Sequence, residues 1–248
     1  MAEIDKYINQ IICGDAIQIL RMFPDNYIDL VITSPPYNMG NKSLGYQPLS
    51  TVGQKHYDMY DDNKSEQEYI EWCFAILDEC LRISRYVFWN VQFVRSTRRM
   101  IIELQSRYYN NLKDIFVWHK KAVSNIISIN GGMARGWEYV FMLGNNNTST
   151  FEYNNFPSNG YVPNIQTWYK SEFFKEHHAT FPIELPNYFI QYFTKPNDIV
   201  LDPMCGSGTT LVSAKQLGRQ YIGIDISLSY CILSQKRLQS ITPPLFTI

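Results

Sequence analysis

The chain has 248 residues, of which 45% are hydrophobic, 15% aromatic and 18% charged, with a net charge of −1. That length holds the core of one large α/β domain or two small ones. The five cysteines (Cys13, Cys73, Cys80, Cys205, Cys231) form no CxxC pair and no metal-ligand spacing, which argues against a disulfide scaffold or a zinc module and for reduced thiols.

No apolar run is long enough to span a membrane, and Met1-Ala2-Glu3-Ile4-Asp5-Lys6 lacks the apolar stretch of a secretory signal, so a cytoplasmic setting is expected. The charge is unevenly spread. Between Arg85 and Arg135 nine Lys/Arg stand against two acids, leaving +7 there and −8 elsewhere. A basic face on an acidic body fits contact with a phosphate backbone. A solvated helix face is the competing reading, about equal for Arg95, Arg98 and Arg99.

In chain order, Ile8 to Ile12 reads as a short strand and Ala16 to Met22 as a helix. Ile28 to Ile32 is a β-branched run of the kind buried on both faces of a parallel sheet. Residues 39–63 are rich in Gly, Tyr, Asp and Asn without a period, a long loop of the functional or mobile kind. Ser65-Glu66-Gln67-Glu68 is a capping start for a helix over Tyr69 to Ile83. A strand at Tyr86 to Trp89, a helix at Val94 to Arg107 and a strand at Leu112 to Trp118 follow. His119 to Gly136 reads as a polar loop, Trp137 to Leu143 as a strand, and Asn145 to about Lys175 as irregular. A helix over Pro182 to Thr194, a strand over Ile199 to Asp202, a helix over Thr209 to Leu217, a strand over Tyr221 to Ile224 and a helix over Leu228 to Gln239 complete the chain, with Pro243-Pro244 ending ordered structure. Strand and helix alternate throughout, which predicts an α/β fold with a doubly wound, mainly parallel sheet.

Two stretches break this regular pattern. Thr33-Ser34-Pro35-Pro36-Tyr37-Asn38 follows a buried strand, and its two prolines fix φ and remove two donors, so it is neither helix nor strand interior. It reads as a rigid shelf with free carbonyl acceptors, a hydroxyl before it and an aromatic ring after it. The second stretch, Asp202-Pro203-Met204-Cys205-Gly206-Ser207-Gly208-Thr209-Thr210, joins a strand to a helix. Gly206 and Gly208 let the backbone approach a ligand, and the helix start offers unpaired N–H groups. Asp225, just after the next strand, is placed to bind ribose hydroxyls, although it could instead cap its helix near Ser227. No Lys follows Gly208, so this is not a phosphate-cradling P-loop. Leu211 stands where a dinucleotide fingerprint needs its third glycine. The expected ligand is therefore a nucleoside without a pyrophosphate.

Together the two motifs resemble those of the DNA amino-methyltransferases that use S-adenosylmethionine. The resemblance implies a Rossmann-like methyltransferase fold. The shelf precedes the glycine loop, which is the circularly permuted β-group order. By that resemblance Ser34, Pro35, Pro36 and Tyr37 are the catalytic tetrapeptide, and Asp202, Pro203, Cys205, Gly206, Ser207, Gly208 and Thr209 form the loop at the methionine end of the cofactor. Asp225 is the ribose acid, and Asp15 contacts the adenine amino group unless it serves only as an N-cap. His178, Thr180 and Pro182 lie against the methionine end, with a surface histidine beside His177 as the bland reading. One departure is visible: Ile83-Ser84-Arg85-Tyr86 lacks the Gly-Gly turn common after this helix.

The resemblance divides a single domain into a catalytic half at 8–143, a candidate target-recognition region at 144–176, a cofactor half at 177–240 and a tail at 241–248. It implies double-stranded DNA as partner. The basic segment supplies Arg95, Arg98, Arg99, Lys120, Lys121 and Arg135 as candidate phosphate contacts, with a solvated loop as the competing reading for Lys120 and Lys121. A cognate restriction endonuclease and a homodimer are further expected partners; no metal is expected. No cysteine follows a proline, which sets aside ring-carbon methylation and leaves an exocyclic amine. Ser rather than Asp at position 34 favours cytosine N4 over adenine N6 within the family. RNA or protein-glutamine methylation, and an inactive recognition module, are the alternatives. Trp89, Trp118 and Trp137 are expected in the core, and Cys205 as a small packing residue.

Overall fold

The computed structural model describes residues 3–38, 61, 63–120, 136–145, 162–168 and 181–241. Strands β1 (Gln10–Cys13), β2 (Ile28–Thr33), β3 (Ser84–Val91), β4 (Leu112–Lys120), β5 (Trp137–Gly144), β6 (Ile165–Trp168), β7 (Ile199–Asp202) and β8 (Gln220–Asp225) form one sheet. Its order is β1-β8-β7-β2-β3-β5-β4-β6. Every pairing is parallel except those of β5, which runs antiparallel to both β3 and β4. Helices α1 (Ala16–Leu20), α2 (Glu66–Ile83) and α3 (Arg98–Arg107) contribute to the core on one face, and α4 (Glu184–Phe193), α5 (Thr209–Gln216) and α6 (Leu228–Gln239) to the core on the other. Among the described residues no helix is long and apolar enough to cross a membrane.

The central strands are apolar on both sides because both sides are covered. Leu30, Ile32, Tyr86 and Phe88 enter the core beside α4 and α5, while Val31, Val87 and Trp89 enter the core beside α2. Each fully buried aliphatic or aromatic side chain contributes roughly 1.5–3 kcal/mol. Strands β7 and β2 are neighbours, yet the chain leaves β7 toward β8 and leaves β2 toward β3. That reversal opens a crevice beyond their carboxyl ends, where a ligand can sit.

Most expected elements occur within a few residues of the sequence reading. The capping start is a full capping box, Ser65 accepting from the Glu68 amide while Glu68 accepts from the Ser65 amide. The missing Gly-Gly turn has a physical substitute: Ser84 ends α2 and begins β3, and its hydroxyl donates to the Cys80 carbonyl at 2.6 Å.

Four details differ. A 3₁₀ turn at Glu3–Tyr7 precedes β1. Helix α3 starts at Arg98 rather than Val94, because the Thr97 hydroxyl donates to Gln92 O at 2.5 Å and accepts from Val94 N at 3.0 Å, holding residues 94–97 in a turn. His119 and Lys120 prolong β4, and β6 occupies part of the stretch read as irregular, because the two strands pair in parallel. Trp137 is 39% exposed, against the expected core position, whereas Trp89 and Trp118 are buried.

Candidate functional site

The shelf begins where β2 ends. Thr33 is the last strand residue, paired with Trp89 of β3. Pro35 is buried and Ser34 half-buried. No hydrogen bond of the described residues uses the Ser34 hydroxyl or the Pro35 carbonyl, so both acceptors are available at the sheet's carboxyl edge. The Tyr37 ring packs against the hydrophobic core from this edge. Its hydroxyl accepts from the Gln92 amide at 3.1 Å and donates to Glu138 Oε2 at 3.2 Å.

The glycine loop lies beside the shelf because β7 pairs with β2. Asp202, the last residue of β7, is 2% exposed. Its Oδ1 accepts from the Thr33 hydroxyl at 2.8 Å and from Met204 N at 3.2 Å, and its Oδ2 from the Thr210 hydroxyl at 2.8 Å. One buried carboxylate thus ties together the residue before Ser34, the loop and the first turn of α5. Burial pushes this carboxyl up to about 6, against the hydrogen bonds from Thr210, Thr33 and Met204 that pull it down.

Asp225 ends β8 and is 9% exposed. Its Oδ2 accepts from Gly206 N at 2.8 Å and its Oδ1 from Ser227 N at 2.9 Å. Each oxygen keeps capacity for a further donor. The helix-side contact is therefore real, but the cap of α6 is Ser227, whose hydroxyl accepts from Tyr230 N. Burial raises the Asp225 carboxyl, and the Ser227 and Gly206 amides offset part of that rise. Gly14 N donates to Asp225 O at 2.9 Å, which brings the end of β1 alongside. There Asp15 caps α1 by accepting from Gln18 N at 2.9 Å.

The loop glycines have conformational reasons beyond ligand approach. Gly206 and Gly208 have φ of 49° and 77°, in the left-handed region. A Cβ on Gly208 would stand 2.8 Å from Ser234 Oγ. Helix α6 holds the loop from behind, with Ser234 Oγ donating to Gly206 O at 2.6 Å and Arg237 to Ser207 O at 2.5 Å. Cys205 is buried in the core, as expected of a packing residue, and burial pushes its thiol up. Pro203, Ser207 and Thr209 are buried too.

The expected DNA contacts divide. Arg95 and Arg98 are exposed, and neither makes an ion pair among the described residues. Arg99 is exposed but ties α3 to α2, pairing with Glu103 at 2.6 Å and Glu66 at 3.4 Å. Lys120 is not a free surface charge: its ammonium pairs with Glu138, a residue 6% exposed. Lys121, Arg135, His178 and Thr180 lie outside the described residues, as does most of the 144–176 region and the tail from 242. Pro182 is buried just before α4. No cluster of His, Cys, Asp and Glu suited to a metal occurs among the described residues.

Sequence reasoning included Thr210 in the glycine loop without giving it a role, and missed Thr33, Glu138, Ser234 and Arg237. Of these four only Thr33 carried a signal, as a hydroxyl closing an apolar run.

A mainly parallel sheet with one antiparallel strand near its edge, and acids at the carboxyl ends of β1, β7 and β8, defines a Rossmann-like methyltransferase fold. A family model described as DNA methylase, of the N6/N4 group, matches residues 28–236. The chain belongs to this N6/N4 DNA methylase family and is an S-adenosylmethionine-dependent methyltransferase. The type II methyltransferase M.HinfI of Haemophilus influenzae is 31% identical, over 97% of this chain and 71% of its own. The DNA adenine methyltransferase YhdJ of Escherichia coli is 26% identical, over 92% of this chain and 82% of its own. The solved PvuII cytosine-N4-specific DNA methyltransferase has a similar fold, with a TM-score of 0.70 and 22% identity over 94% of this chain and 87% of that one.

Proposed function

We propose that the chain methylates N4 of a cytosine flipped out of double-stranded DNA. The observation that carries amine methylation is the Thr33–Asp202 hydrogen bond, which fixes the Ser34 shelf beside the glycine loop, while Ser rather than Asp at position 34 favours cytosine as the base. A flipped base and a bound nucleoside would then meet at the ends of β2 and β7.

The residues present fit S-adenosylmethionine. Asp225 has acceptor capacity for ribose hydroxyls, and Asp15 stands at the end of the adjoining strand for the adenine amino group. The buried Asp202 carboxylate suits a cationic methionine end. When bound, the cofactor supplies an electrophilic methyl on a sulfonium.

The chain's own contribution is orientation. The cytosine amine is a weak nucleophile because its lone pair is delocalised into the ring. Ser34 Oγ and the Pro35 carbonyl accept its two hydrogens and favour a tetrahedral nitrogen with its lone pair toward the methyl. Tyr37 stacks on the base. Such fixed acceptors act by positioning and electrostatics.

On this reading the chain divides into a catalytic half at 8–143, a target-recognition region at 144–176 and a cofactor half at 177–240. Relatives named type II methyltransferases support a cytoplasmic restriction–modification setting with a cognate endonuclease. A homodimer would let so small a recognition region cover its site.

Mass spectrometry of nucleosides from a methylation-free host expressing the protein tests the reading. N4-methylcytosine is expected, and N6-methyladenine in its place would overturn the choice of base. Arg95 and Arg98 are the described basic residues that best fit phosphate contacts. The Arg95→Glu/Arg98→Glu double variant should weaken DNA binding and reduce the slope of log K against log salt by about 2. An unaltered slope would place the phosphate contacts elsewhere.

A further inference from the structure

Glu138 is a buried carboxylate at the shelf. It is the second residue of β5, opposite Trp118 of β4. Its Oε2 accepts from the Tyr37 hydroxyl at 3.2 Å and its Oε1 pairs with the Lys120 ammonium, which also lies 5.2 Å over the Trp118 ring. The Tyr37 hydroxyl in turn accepts from Gln92 N just past the end of β3. The ring is thereby fixed at its far end by two strands and at its near end by Pro35-Pro36.

A buried ion pair is a poor device for stability, since its desolvation offsets most of its attraction and an apolar pair of the same volume would serve as well. What an apolar pair lacks is an acceptor for a tyrosine hydroxyl. The pair makes sense if the orientation of that ring matters. Lys120 takes up Oε1 of Glu138 and leaves Oε2 to the tyrosine hydroxyl.

We infer that Glu138 is a positioning residue that aims the Tyr37 ring at the flipped base, with Lys120 as its counter-charge. The inference rests on the catalytic reading of the shelf. Glu138→Ala should slow methyl transfer to genomic DNA from a methylation-free host by at least about tenfold while leaving cofactor affinity within about twofold. Glu138→Gln, whose carbonyl still accepts from the hydroxyl, should recover most of the rate.

Tyr37→Phe removes the same bond from the other side. The Tyr37→Phe/Glu138→Ala double variant should be no slower than the slower single variant. Losses that multiply, or a Glu138→Ala enzyme at full rate, would overturn the positioning role. An independent readout comes from the cofactor-free protein labelled with 3-fluorotyrosine. The fluorine resonance absent from Tyr37→Phe should shift or broaden in Glu138→Ala and stay in place in Glu138→Gln. A resonance unmoved by Glu138→Ala refutes the inference whatever the activity. A wild-type protein that methylates no DNA refutes the functional reading instead.

Discussion

Cofactor affinity is expected to rise as pH is raised toward about 6 and to level off above it, and Asp202→Asn is expected to remove that dependence. Asp202 has three hydrogen-bond donors but no cationic partner among the described residues, and burial outweighs the donors. Its carboxyl therefore holds a proton to a higher pH than it would in the unfolded chain. The sign for stability follows: a carboxyl raised on folding contributes stability that is fully present below pH 3.8 and is lost as pH rises through about 6. The loss amounts to about 3 kcal/mol, a tenfold change in a proton equilibrium being worth about 1.4 kcal/mol. Asp225, raised by burial as well, acts in the same direction.

A ligand with a cationic methionine end favours the ionised form, so its binding expels a proton below pH 6. Affinity should then climb by up to about tenfold per pH unit on that side. Asn at 202 can still accept from Thr33 and Met204 and donate to Thr210 Oγ, so the loop should fold. It lacks the charge, and affinity at pH 7 should fall by about tenfold or more, a charge-assisted contact being worth roughly 1.5–3 kcal/mol. Calorimetric titrations from pH 5 to 7.5, in two buffers of different ionisation enthalpy, measure both affinity and proton release. Flat wild-type affinity over that range, or an unimpaired Asp202→Asn, would remove Asp202 from the cofactor's charged end.

The same residue shows what a sequence can and cannot disclose. Asp202 stood out because a strand, a glycine turn and a helix follow one another in a single local stretch. Ser34 to Tyr37 stood out because two prolines leave the backbone little choice. Those are local constraints, and local chemistry made them legible, as it did the Ser65–Glu68 capping box. The bond joining the two motifs spans 169 positions, and no local pattern encodes it. Lys120 reads as a surface charge in sequence because Glu138 comes 18 positions later, on a strand whose antiparallel register decides the pairing. Strand β6 was hidden for a related reason: its four residues alternate between exposed and half-buried, and it exists through its partner β4. The left-handed φ of Gly208 was allowed for, but the Ser234 hydroxyl filling the space of its missing Cβ was not.

Ser34→Ala and Tyr37→Ala should fail in different ways, and the difference tests the division of labour at the shelf. Ser34 contributes one of two proposed acceptors for the amine hydrogens. That contact gains most as the nitrogen becomes tetrahedral, so its loss should fall on kcat, by about a hundredfold to a thousandfold. The Pro35 carbonyl cannot be removed by a side-chain substitution and should sustain the residual rate. Tyr37 stacks on the base as soon as the base leaves the duplex, before the methyl moves. Loss of the ring should cost about 1–3 kcal/mol, borne by DNA affinity and by kcat/KM more than by kcat at saturating DNA. Cofactor affinity should be unchanged in both, because Ser34 and Tyr37 stand on the shelf after β2 and the Tyr37 hydroxyl is held by Gln92 and Glu138, away from the glycine loop after β7. Steady-state kinetics over a DNA concentration series, with calorimetry for the cofactor, separates the cases. If Tyr37→Ala lowered kcat alone, the ring would act on the reacting amine rather than on the flipped base. A Ser34→Ala enzyme with normal kcat would leave the Pro35 carbonyl as the only acceptor at the shelf that the chemistry needs.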